Sequence, residues 1–384
     1  MKLNQLTIYL LLLVIISSCH SSKILTADQK STSETRKLYN ILLERSEKGI
    51  MIGYEDALAY GIGWKEEEGM CDMYRSSGEY PAVYGWDIGD IHKNQNLDTV
   101  SFSKMINWIK KVHLMGGINT ISWHMDNPVT GASSWDKSKI ALQILPGGEA
   151  HDRFLNKLDR AAILLKNCKI NNTFIPIIFR PFHEHNGDWF WWGKGNVSES
   201  EYIELYQFIA NYFKSKHKIH HLIYAFSPDR SRITNLDNEE DYLYGYPGDE
   251  YVDLIGLDNY KDMDINPVDS LDQKAINNFI KSLEMVTEIA TNKGKLSALT
   301  ETGNEGIKDN KWFTKKLLNP LLKSEKAQKI SYILMWRNAN TSHHYMVYPE
   351  HPVKDDFIEF INHPLILTLS DVGSKKWKFY TKAH

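Results

Sequence analysis

The segment Phe174-Ile175-Pro176-Ile177-Ile178-Phe179-Arg180-Pro181-Phe182-His183-Glu184 is a short apolar run that stops abruptly at charged and polar residues. An unbroken apolar run of this length reads as a strand covered on both faces. Seven other runs share its character: Ile50 to Tyr54, Ala82 to Trp86, Ile118 to His124, Leu222 to Phe226, Leu254 to Leu257, Leu296 to Thr300 and Ile330 to Trp336. Between them lie stretches with apolar residues three and four apart, among them Phe102 to Met115, Asp152 to Asn167, Ser200 to Ser215, Ile276 to Thr291 and Lys311 to Lys323. Eight buried strands alternating with helices predict an α/β fold, a (β/α)8 TIM barrel in one domain. An open doubly wound sheet is disfavoured, because no glycine-rich fingerprint follows the first strand.

In such a barrel the chemistry belongs where the strands end, since the loops there build the mouth. These ends are unusually polar: His124 after the third, His183 and Glu184 after the fourth, Asp258-Asn259-Tyr260 after the sixth, Glu301 after the seventh, Trp336-Arg337-Asn338 after the eighth. Glu184 and Glu301 therefore face each other across one mouth. A pair about 5 to 5.5 Å apart cuts a glycosidic bond with retention, and one about 6.5 to 9.5 Å apart with inversion. Glu301, in the small-residue strand end Ala298-Leu299-Thr300-Glu301-Thr302-Gly303, reads as the nucleophile. Glu184, beside His183 and Trp189, reads as the acid and base that an apolar setting keeps protonated.

The supporting residues have plainer readings beside the functional ones. Tyr260 could hydrogen-bond the nucleophile or only pack a loop. Arg180 could keep the nucleophile ionised or form a structural ion pair. Trp336 could underlie a sugar ring or plug the barrel. The run Trp189-Phe190-Trp191-Trp192 offers flat faces for pyranose rings, yet serves equally well as a hydrophobic lid, with one or two members touching sugar.

With 384 residues, 42% hydrophobic and 24% charged, the chain is long enough for a large core. A net charge of −3 and no basic helical face leave no footprint for nucleic acid, so the expected substrate is neutral. His183 and His185 form an HxH pair such as zinc hydrolases use. Strands five and six end in Ser227-Pro228-Asp229 and Asp258-Asn259-Tyr260, without further histidines, so neither metal nor cofactor is expected.

Lys2, the apolar run Leu10 to Ile16 and Ser17-Ser18-Cys19 form a signal sequence too short to span a membrane. Ile16-Ser17-Ser18-Cys19 resembles a bacterial lipobox. Residues 1–18 are thus expected to be removed, Cys19 to carry lipid, 19–35 to be a flexible tether and 36–384 the catalytic domain. Ordinary signal cleavage nearby is the alternative. Cys71 and Cys168 read as two unrelated thiols, one in a loop and one at a helix end.

Several motifs in order give the chain a family resemblance: Arg180-Pro181-Phe182-His183-Glu184, Trp189-Phe190-Trp191-Trp192-Gly193, Thr300-Glu301-Thr302-Gly303 and Met335-Trp336-Arg337-Asn338. Tyr80-Pro81-Ala82-Val83-Tyr84-Gly85-Trp86-Asp87 and Gly117-Ile118-Asn119-Thr120-Ile121-Ser122-Trp123-His124 add to it. Together they resemble glycoside hydrolase family 26, mostly β-mannanases, from about residue 36 to 365. The resemblance implies a retaining enzyme that cuts β-1,4 links in mannan, glucomannan or galactomannan, with Glu184 as acid/base and Glu301 as nucleophile. It further implies that His183 and Trp189 contact sugar beside the acid, that Tyr260 holds the nucleophile, that Trp336 underlies the ring at the cleavage point, and that His124 and Arg337 bind neighbouring sugars. No role transfers to His185, which varies among relatives.

The same family includes β-1,3-xylanases and mixed-linkage β-glucanases, which keeps those substrates open, although the aromatic run favours mannan. A glycan-binding lipoprotein on an inactive barrel is the rival from another class, and the presence of both glutamates speaks against it. The residues after Cys19 lack the acidic cluster of some surface-exported lipoproteins. A periplasmic, lipid-anchored monomer is therefore expected, touching membrane only through its anchor and suited to releasing mannobiose from chain ends.

Overall fold

A computed structural model of the chain describes residues 26–263 and 269–373. Eight parallel strands form the barrel: β1 (Ile50–Glu55), β2 (Val83–Asp87), β3 (Ile118–Trp123), β4 (Ile177–Pro181), β5 (Leu222–Phe226), β6 (Leu254–Asn259), β7 (Leu296–Thr302) and β8 (Tyr332–Met335). Each pairs with the next, and Met51 to Tyr54 of β1 pair with Tyr332 to Met335 of β8, which closes the barrel. Every residue of the eight strands is buried, as double coverage requires. The predicted (β/α)8 barrel is what the chain forms.

Local chemistry moves some boundaries. The fourth strand starts at Ile177, not Phe174, because Pro176 has no N–H to donate to a ladder. Thr173–Phe174 pair instead with Lys169–Ile170 in a small antiparallel hairpin. The predicted helix Lys311 to Lys323 becomes a π-helical turn, Trp312–Leu318, and a short helix, Asn319–Leu322, with Pro320 in its first turn. Where β6 meets β7 the register slips: Leu257 faces Leu299, but Asp258 faces Glu301, one residue further on. A bulge of this kind re-aims side chains beside a site.

The expected tether, 19–35, is too long at its C-terminal end. Thr26, Asp28 and Ser31 are buried, and helix α1 (Ser33–Ser46) begins inside the stretch, capped by Thr32. The partners of this segment all lie just before strands: Ala27 N donates to Asp253 Oδ1 at 2.6 Å, Thr32 N to His220 O at 2.8 Å, and Tyr39 OH to Gly294 O at 2.9 Å. Residues 26–46 thus close the bottom of the barrel. Leu38, Tyr39 and Leu42 join the interior side chains Met51, Ile178, Ile223 and Leu334 in one buried cluster, each worth about 1.5–3 kcal/mol of burial.

The signal segment 1–18, Cys19 and residues 374–384 lie outside the described residues. Among the described ones, no helix is long and apolar enough to cross a membrane. Cys71 and Cys168 are both buried and unpaired, the first just before the short helix Asp72–Ser77 and the second just after helix α2 (His151–Asn167).

Candidate active site

The fourth strand ends in a strained turn. Phe182 and Glu184 both have left-handed backbones, with φ of 50° and 54°, a costly state for residues with bulky side chains. Buried donors hold the turn in place. Tyr202 OH donates to Phe182 O at 3.0 Å, Trp192 Nε1 to His183 O at 2.8 Å, and Glu184 N to Ser227 O at 2.8 Å. Tyr202 comes from helix α3 (Glu199–Asn211), which starts with a capping box between Ser198 and Glu201. Of the four aromatics, Phe190, Trp191 and Trp192 are buried in this scaffold. Trp189 alone is partly exposed, and its Nε1 donates to Glu184 Oε2 at 2.8 Å.

Opposite the turn lies a cluster of charges. Arg180 Nη1 donates to Asp258 Oδ2 at 2.7 Å and to Ser227 Oγ at 3.1 Å, and its Nη2 donates to Glu301 Oε1. Tyr260 OH donates to Glu301 Oε2 at 3.0 Å. The bulge lets Thr300 Oγ1 reach Asp258 Oδ1 at 2.6 Å. Carboxylate oxygens of Glu184, Asp258 and Glu301 lie within 4.8 Å of one another. Burial first, then the like charges of Asp258 and Glu301, push the Glu184 carboxyl well above the usual carboxylate range. The site thus sets an acid that keeps its proton beside a carboxylate held by fixed donors.

His124 and His183 meet at the mouth, with their Nε2 atoms 3.1 Å apart. Asp87 Oδ2 accepts from His124 Nδ1 at 2.8 Å, and the same carboxylate takes Gly89 N and Ser122 Oγ. Burial opposes a charge on His124, but Asp87 outweighs it and raises the pKa. Burial, with Arg180 and His124, pushes His183 far below its usual value. We therefore assign the bridging proton to His124. The Trp336 ring lies 6.0 Å from His124. Arg337 pairs with Asp98 at 3.0 Å.

Every residue singled out from the sequence as catalytic or substrate-binding thus stands at this one mouth. His185 does not share it: the ring stacks on Tyr202 at 4.0 Å and bonds Tyr244 O at 2.6 Å, so the two histidines of the HxH pair serve different partners. Sequence reasoning noted Asp258 at a strand end but gave it no role, although it stands next to the strand carrying Glu301. It missed Glu55, a buried carboxyl at the end of β1 that burial pushes well above its usual range, because the first strand was ended one residue early. Asp98 sits in a loop without periodicity and gave no signal.

Comparison with known proteins gives the chain its family. The sequence matches the Glycosyl hydrolase family 26 profile over residues 27–341. The chain belongs to glycosyl hydrolase family 26. It is 35% identical over 346 residues to a mannan endo-1,4-beta-mannosidase of Bifidobacterium adolescentis, a match covering 84% of this chain and 33% of that protein. The family 26 chain thus spans about a third of that relative's length. A Bacillus subtilis mannan endo-1,4-beta-mannosidase is 30% identical, over 66% of this chain and 72% of its own. Among solved structures, a family 26 β-mannanase of Bacteroides ovatus superposes with a TM-score of 0.82 at 35% identity, covering 92% of this chain and all of that one. A Cellulomonas fimi endo-β-1,4-mannanase gives 0.82 at 32%, covering 91% and 78%.

Replacing Arg180 with Met removes the cation shared by two buried carboxylates. Urea denaturation is expected to show a loss of about 3–5 kcal/mol, and turnover a fall of about 100-fold or more. Wild-type stability in this variant would contradict the shared-cation reading.

Proposed function

We propose that the protein hydrolyses internal or terminal β-1,4 links of mannan, glucomannan, galactomannan or their oligosaccharides with retention, by double displacement. The observation that carries this is the approach of Glu184 and Glu301 within 4.8 Å at one barrel mouth, short of the separation that an inverting water needs. In the first step the Glu301 carboxylate attacks the anomeric carbon. The glycosidic bond breaks, and the leaving oxygen takes the Glu184 proton. Glu301 becomes a neutral ester as Glu184 becomes charged, so the two carboxylates never face each other fully ionised. In the second step Glu184 takes a proton from water, the water oxygen attacks the anomeric carbon, and Glu301 departs. The Trp189 N–H stabilises the charged form of Glu184 between the steps.

In this reading Trp336 lies under the ring at the cleavage point, His183 contacts the same sugar, and His124 and Arg337 bind its neighbours. Mannan is favoured by the names of the curated relatives and by Trp189 at the rim. The signal-like N-terminus supports anchoring through Cys19 on the periplasmic side, where imported oligosaccharides would suit release of mannobiose from chain ends.

Glu184→Ala is expected to lose nearly all activity on mannan but to keep activity on aryl mannosides with good leaving groups, which need no proton. Glu301→Ala should bind mannotriose and turn over neither substrate; near wild-type rates would reject its assignment. On the alkaline side, kcat/KM should fall as pH rises through the raised Glu184 pKa. Trp189→Phe, which removes a bond to the charged form, should move that fall to higher pH. An alkaline-side fall in the ordinary carboxylate range would exclude Glu184 as the acid.

A time course on mannan and mannohexaose separates the modes of attack. Mannobiose as the sole early product supports chain-end release, and a ladder of sizes with falling viscosity supports internal cleavage. Activity on β-1,3-xylan or mixed-linkage glucan alone would replace the substrate, and no product from any of them would favour a binding protein.

A further inference from the structure

The loop after β8 runs from Trp336 to Val353 and crosses the loop after β7. Asn338 is fully buried and uses its whole amide. Its Oδ1 accepts from Tyr345 N at 3.0 Å and Met346 N at 2.9 Å, while its Nδ2 donates to Met346 O at 3.0 Å and Asp72 Oδ2 at 2.9 Å. Asp72 is itself buried and fixed by Ile62 N at 2.8 Å and Trp64 Nε1 at 2.7 Å. From the other side, Gly306 N donates to His344 O at 2.9 Å. Residue 345 is thus fastened on both flanks.

The Tyr345 ring lies against Gly303, where a Cβ would come within 2.5 Å of Tyr345 Cδ1. It also meets the Tyr260 ring edge-on, with centroids 5.9 Å apart and an interplanar angle of 68°. Gly303 stands two residues beyond Glu301, and Tyr260 OH is the donor to Glu301 Oε2. Tyr345 therefore touches both the backbone leading away from Glu301 and the phenol that orients its carboxylate. A phenol aims a carboxylate only while its own ring cannot swing, and a small error in the attacking atom's position costs much of the rate.

We propose that Tyr345, locked by Asn338 against Gly303, is a positioning residue that fixes Tyr260 and, through it, the attacking orientation of Glu301. This rests on the reading of Glu301 as nucleophile. Edge-to-face packing needs only the ring, so Tyr345→Phe keeps the contact with Tyr260. Asn338 acts through Tyr345, so the two residues form one unit.

The test uses Tyr345→Ala, Tyr345→Phe, Asn338→Ala and the double alanine variant. Steady-state kinetics on mannotetraose are combined with the rate at which a 2-deoxy-2-fluoro-mannobiosyl fluoride labels Glu301, read by peptide mass spectrometry. Tyr345→Ala should lower kcat and the labelling rate about 10- to 100-fold, with KM within about threefold. Tyr345→Phe should stay within about twofold of wild type, and the double variant should be no worse than Tyr345→Ala, as residues acting as one unit are not additive. A raised KM with unchanged kcat would overturn the proposal and make Tyr345 a sugar platform. Equal losses in Phe and Ala would overturn it in favour of the hydroxyl. Should Asn338→Ala fail to fold, the Tyr345 pair decides alone. Normal wild-type labelling with an unslowed Tyr345→Ala removes the positioning role only, whereas wild-type labelling at another carboxylate removes the nucleophile assignment and this role together.

Discussion

The guanidinium of Arg180 lies between Asp258 and Glu301, with Ser227 sharing the nitrogen that faces Asp258, at the buried ends of four successive strands. An arginine keeps its charge under any condition a protein meets, and a lone charge there would carry a desolvation cost of several kcal/mol. The carboxylates need the cation as much as it needs them. The arrangement ties β4, β5, β6 and β7 together at one level of the barrel. It also leaves Glu301 with each oxygen on a fixed donor, so orientation for chemistry and compensation for burial are met by the same bonds.

Glu184 on the other wall is held by different means. Its backbone sits in a left-handed turn that its sequence does not favour, and three buried aromatic side chains with polar tips grip the carbonyls of that turn or pack beneath it. The dense aromatic segment thus does most of its work inside the molecule. One ring, Trp189, is left at the surface to touch the acid itself and carries Arg232 over its face at 5.2 Å.

The barrel was legible because doubly covered parallel strands must be continuously apolar, and each of the eight runs ends where its strand does to within a few residues. Pro176 and Pro320 moved boundaries for the same reason, a missing N–H that no hydrophobic pattern reveals. Glu184, Glu301 and their supports could be read from polar residues terminating apolar runs. Asp258 could have been read in that way, since a buried arginine flanked by one carboxylate invites a second. Asp98 and the Asn338 fastening were not legible, because they join loops remote in sequence and rest on single side chains with no period. The tether was misjudged at 26–35 because short polar residues look alike whether they are solvated or capping a helix against a barrel floor.

That floor gives the molecule a direction. Residues 26–46 seal the end of the barrel at which the strands begin, and the carboxylates stand at the end where they finish. Six residues lie between Cys19 and Thr26, so the seven Cα-to-Cα steps reach at most about 25 Å. With Cys19 held at a lipid surface, as proposed, the sealed base would sit against the bilayer and the cleft would look away from it. Oligosaccharides could then approach from bulk solvent without meeting the membrane.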